Sequence, residues 1–174
     1  MADDYASLTV IADLAVAFAG FAGVFVVLRH ETIGKWTELE RVRLISLLTL
    51  SLHAAFLSLL PTGLAPLFEH HDEVWKMSAA IGGSTLALAG VWTFPASTRA
   101  TNKIEEVANQ KSAIVVARVM AALFVTALAL YGLVAFEATL HRFSCYYFAL
   151  MMQLAMSSLL FGRILIVRPP ASAN

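Results

Sequence analysis

LTVIADLAVAFAGFAGVFVVL, Leu8 to Leu28, holds a single charged side chain, Asp13, in an otherwise apolar run. A helix that crosses roughly 30 Å of hydrocarbon needs about 20 such residues, rising ~1.5 Å with each. Four more runs follow: Leu44 to Leu60, Met77 to Phe94, Ala113 to Phe136 and Phe143 to Val167. The second is the shortest, and its helix extends back through amphipathic residues. The sequence therefore predicts an all-α membrane protein, a bundle of five transmembrane helices over residues 8–28, 38–60, 77–94, 113–136 and 143–167, with a mobile tail at 169–174.

Composition agrees, with 59% hydrophobic and 14% charged residues and a mean hydropathy of +0.75; soluble domains average about 25% charged. The links between runs are too short for a core of their own, so residues 1–174 read as one membrane domain. Cys145, the single cysteine, offers neither an internal disulfide nor a thiolate cluster. Nothing points to nucleic acid.

Lysine and arginine set the expected orientation. Arg29, Lys35, Arg41, Arg43, Arg99, Lys103, Lys111, Arg163 and Arg168 fall on one side, and Lys76 and Arg142 on the other. By the positive-inside bias the amino terminus is outside and the carboxyl terminus cytoplasmic, as in a bacterial inner-membrane protein. The acidic start, with Asp3 and Asp4, lacks the basic region of a cleaved signal peptide. Trp36, Trp75, Trp92, Tyr146 and Tyr147 lie near span ends, where amphipathic rings favour the interface.

Thr37-Glu38-Leu39-Glu40 has capping-box spacing, which starts the second helix near residue 38. Pro61 and Pro95 should end the second and third spans, because proline cannot continue the hydrogen-bonded turn. Asn102 and Glu105 form a weaker cap for an amphipathic extension through Ile104, Val107 and Ala108. The short link from Glu137 to Arg142 forces an antiparallel hairpin. Small residues recur at helical spacing, Ala12, Ala15, Ala19 and Gly23 in one span and Ala79, Gly83 and Ala87 in another. Such stripes allow close packing within the bundle or between subunits of a homo-oligomer.

Polar groups in hydrocarbon need partners, water or a route to the interface. Asp13 is too short to reach water easily, whereas Arg118 and Arg163 can snorkel. His53 lies mid-span, with Ser46 and Thr49 before it on one helical face, and Ser84, Thr85 and Gln153 fall at similar depth. Asp13, His53, Ser84, Arg118 and Gln153 thus form a candidate intramembrane relay; a neutral imidazole bonded to a hydroxyl or amide is the structural alternative. Outside, Glu69-His70-His71-Asp72-Glu73, with Glu137 and His141, gathers ligands suited to a divalent metal or a proton-sensing site. A solvated acidic link accounts for the same residues, and their spacing matches no established metal motif. Met152 and Met156, with Met151, read as flexible packing.

Catalytic constellations are sparse. Gly82-Gly83-Ser84 resembles the start of the G-x-S-G nucleophile motif of rhomboid intramembrane proteases. Thr85 replaces the final glycine, the spans number five instead of at least six, and His53 precedes the serine. The chain is similar in span count to the translocator proteins but lacks their Trp-Asn-Pro-Pro segment. Neither resemblance assigns a family. No cofactor is expected. The reading favoured by small-residue stripes, minimal links and the lack of a motif is a non-catalytic accessory or scaffold subunit, assembling with itself or with other membrane proteins. The alternative is a small oligomeric channel or transporter working through His53; an intramembrane hydrolase is the most remote.

Overall fold

The structure, a computed structural model, describes residues 2–28, 38–102 and 110–166. Five helices account for most of them: α1 (Ala2–Leu28), α2 (Glu38–Leu64), α3 (His71–Asn102), α4 (Gln110–Ala135) and α5 (Arg142–Ile166), with a short 3-10 turn at Ala65–Leu67. No strand occurs among the described residues. Thr37 of the capping box, Trp36, the extension at Ile104, Val107 and Ala108, and the tail lie outside them, as does the side chain of Trp92.

Four of the five helices, α1, α2, α4 and α5, are long and apolar enough to cross a membrane. Among its described residues, α3 does not reach the same apolarity, because its first two turns carry His71, Asp72, Glu73 and Lys76.

Successive helices pack antiparallel, and α5 touches all four others. In the apolar windows of α2 and α5, 44% and 39% of residues are buried, against 22% in α1 and 11% in α4. So α2 and α5 form the axis, and α1 and α4 flank it. Small side chains allow the close approach of that axis: Ser51, Ala54 and Ser58 on α2 and Ala149 and Ser157 on α5 are all buried. The stripes on α1 and α3 are only half used for packing. Ala12, Ala15 and Ala79 are buried, whereas Gly23 and Ala87 are exposed.

Neither proline ends its helix. α3 runs on to Asn102, past position 95, and α2 continues through Pro61 to Leu64. Without an amide proton, Pro61 cannot bond the carbonyl four residues back, that of Leu57. The hydroxyl of buried Tyr146, on α5, donates to that carbonyl at 2.6 Å and completes it from a neighbouring helix. Tertiary contact thus replaces the bond that the local rule counted as lost.

Trp75 and Tyr146 turn into the bundle. Both are buried, and Trp75 stacks on Tyr5 (6.1 Å between ring centroids) and meets Phe143 (5.4 Å) and Tyr146 (5.7 Å). This aromatic group draws α1, α3 and α5 together where the α2–α3 and α4–α5 links lie, here called the hairpin end. The opposite end, with Arg41, Arg43 and Arg163, is the basic end.

Candidate functional site

Midway along α2, His53 uses both ring nitrogens. Its Nδ1 lies 2.7 Å from Gln153 Oε1 on α5, and its Nε2 lies 2.7 Å from Thr85 Oγ1 on α3. Gln153 is fully buried, and its Nε2 donates to the hydroxyl of buried Tyr131, on α4, at 2.6 Å. The chain Thr85–His53–Gln153–Tyr131 therefore crosses α3, α2, α5 and α4 in turn. Tyr131 then meets Tyr146 edge-to-face, with 5.6 Å between centroids. Two glycines make room for Tyr131 against α3: a Cβ on Gly82 would lie 3.2 Å from its ring, and one on Gly83 would lie 3.2 Å from its own Cβ.

Proton bookkeeping shows what the chain can do. Thr85 has one hydroxyl proton, and its oxygen lies 2.6 Å from the Ile81 carbonyl as well as beside His53. In one polarity His53 Nδ1–H donates to the Gln153 oxygen, and the Thr85 hydroxyl donates to Nε2. A half-turn of the Gln153 amide exchanges its oxygen and nitrogen without moving other heavy atoms. The polarity then reverses. Tyr131 donates to the Gln153 oxygen, the amide donates to Nδ1, Nε2–H donates to Thr85, and Thr85 donates to Ile81. Every member is then satisfied with a neutral imidazole. If instead Gln153 keeps its first orientation while Thr85 donates to Ile81, both ring nitrogens must donate, which is the imidazolium. One set of atomic positions thus accepts either charge state of His53.

Of the five residues expected in the relay, His53 and Gln153 come together. Ser84 does not join them; its exposed hydroxyl donates to the Ile81 carbonyl at 3.0 Å, so the hydroxyl beside His53 belongs to Thr85. Asp13 and Arg118 are exposed on the outer faces of α1 and α4, with no side-chain partner among the described residues. Tyr131 is the member that sequence reading passed over. A tyrosine inside an apolar run passes for packing, although Gly82 and Gly83 opposite it signal a close approach.

At the hairpin end the two links do meet, but through ion pairs. Lys76 Nζ lies 2.8 Å from Glu137 Oε1, and Arg142 Nη1 lies 3.1 Å from Asp72 Oδ2. A hydrogen bond and the charge of Lys76, followed by the charge of Arg142, hold the Glu137 carboxyl below the usual carboxylate range. Glu137 closes α4 in a left-handed conformation, φ 58°, with its amide donating to Val134 and the Ala138 amide to Leu133. That is the Schellman arrangement, usually given to glycine. Glu69, His70, His71, Glu73 and His141 are exposed. Among the described residues no three histidine, cysteine or acidic side chains are grouped to hold a metal ion.

No known family, curated protein or solved structure matches the chain.

Proposed function

We propose that this is a polytopic inner-membrane protein of a bacterium, amino terminus outside and carboxyl terminus in the cytoplasm, in which α3 is the fifth span. On that reading it is a non-catalytic accessory or scaffold subunit that assembles with itself or with other membrane proteins. The length of α3 supports its crossing: 32 residues extend about 48 Å. It also packs against α2, α4 and α5. Its polar first turns then stand at the interface, beside the α4–α5 link.

The observation that carries assembly is Asp13. It is exposed about 16 Å along α1, among exposed Val10, Leu14, Val16 and Phe21. A carboxylate in that setting calls for a partner, since ionisable groups in spans generally face other protein or water. Below it, an added Cβ on Gly20 or Gly23 would meet nothing within 4 Å, so this face is open to a second helix. Replacing Asp13→Leu is expected to shift the protein, measured by mass spectrometry from lipid nanodiscs, from assemblies toward the monomer. A wild type that stays monomeric and is captured with no membrane protein would end this reading.

The reversible polarity around His53 favours a second reading, an oligomeric proton channel or transporter. Its four residues lie across the bundle more than along it, so a crossing would need water on both sides. Liposomes should then show proton flux that His53→Ala abolishes; flux unaffected by the substitution would remove the mechanism. Neither reading includes a cofactor. A divalent cation at the hairpin end would have to displace Lys76 from Glu137 and Arg142 from Asp72.

A further inference from the structure

We propose that the cleft between α3 and α4 is a phospholipid site, taking one acyl chain between the helices and the phosphate against Lys76. The proposal rests on the reading that α3 lies in the bilayer. The cleft has a volume of about 380 Å³, with Ala79, Ala80 and Gly83 on one wall and Leu128, Gly132 and Ala135 on the other. It is open on its outer side, and Ser84, Tyr131 and Phe136 complete its lining. At Gly132 an added Cβ would meet nothing within 4 Å, so there is free width where the wall is made of glycine.

The occupant follows from charge. A flexible acyl chain follows a shallow, open groove of this kind, and a second helix on it is the outcome that the dimer measurement reads. Lys76 precedes Ala79, Ala80 and Gly83 by three, four and seven positions, so it stands at the end of the same helical face. Glu137 lies two residues beyond Ala135, and the Lys76–Glu137 pair joins the two walls there. The side chains are 46% and 51% exposed. A cation and an anion at the mouth of an apolar cleft match a headgroup that carries phosphate and ammonium, as phosphatidylethanolamine does.

The test is the full-length protein in nanodiscs of phosphatidylethanolamine and phosphatidylcholine, released into a mass spectrometer that counts retained lipid. Wild type is expected to keep one lipid, preferentially phosphatidylethanolamine. Gly132→Leu puts bulk into the cleft from a position where a Cβ meets nothing within 4 Å and should lower retention roughly tenfold. Ala80→Leu, on the other wall, should act in the same direction. Gly20→Leu adds the same side chain to the open face of α1 and should change nothing. Lys76→Gln should weaken retention about threefold, the scale of an exposed ionic contact, and lessen the headgroup preference. Retention unchanged by both cleft variants, or lowered equally by Gly20→Leu, would overturn the site. So would wild type without bound lipid, or a dimer that Gly132→Leu splits. Failure of α3 to cross the bilayer is read separately, from whether cysteines placed one at a time at Glu73 and at Asn102, the two ends of α3, are reached from opposite sides of a vesicle in a Cys145→Ser background.

Discussion

At the hairpin end, Tyr131, Tyr146, Trp75, Leu57 and their neighbours form one buried group drawn from all five helices, with hydrogen bonds and ion pairs crossing it. At the basic end, among the described residues, Ala22, Leu44, Leu47 and Ile164 form a smaller buried group on α1, α2 and α5. Charges differ as well. The hairpin end sets Lys76 on Glu137 and Arg142 on Asp72, and the basic end places Arg43 within the fields of both Arg163 and Glu40. In lipid, apolar contact gives helices little reason to associate, so hydrogen bonds and close ring packing decide where a bundle is held. The rings, hydrogen bonds and ion pairs described at the hairpin end therefore fasten the bundle there.

Tyr131→Ala attacks the fastened end most directly. It removes a fully buried ring and strips Gln153 of a partner. A loss of about 3–5 kcal/mol is expected for such a truncation, read from reversible unfolding in mixed micelles. Leu160→Ala, on a half-buried side chain beside the smaller group, should cost about 1–2 kcal/mol. Equal losses would erase the distinction between the ends.

Tyr146→Phe is a finer probe. It keeps the ring and leaves the Leu57 carbonyl bare, which should cost about 1–3 kcal/mol. Adding Pro61→Ala restores an amide to that carbonyl, so part of the loss should return. Additive effects in this double-mutant cycle would show that the hydroxyl does not complete the helix.

The smallest effect belongs to Glu137. Its carboxyl is depressed in the folded protein, first by the hydrogen bond from Lys76 and then by that residue's charge. Its contribution is therefore full above the ordinary carboxylate pKa and fades as pH falls through the lowered folded value. Glu137→Gln should flatten the stability profile in that acidic range and leave it nearly unchanged near neutrality. An unaltered acid limb would show that the pair does not fasten the links.

The sequence reveals the helices plainly, because apolar length and hairpin spacing are local properties. His53 and Gln153 were also legible as a pair, since depth can be counted from span ends. What escaped needed rotation about a helix axis. Ser84 and Thr85 sit at nearly one depth, but only Thr85 turns toward His53. Tyr131 looked apolar among Leu130, Gly132 and Leu133, and Asp13 could not be seen to point away from the bundle. Pro61 escaped for another reason: the group that completes the Leu57 carbonyl comes from a residue 89 positions away.

Pro61 and Tyr146 are faults that cancel. Alone, the proline exposes a carbonyl and the tyrosine buries a hydroxyl with nothing to hold; together they form a hydrogen bond between α2 and α5. The two positions are thus coupled in energy. With an ordinary residue at position 61 the hydroxyl of Tyr146 would be dispensable, and without that hydroxyl the proline would leave α2 weaker.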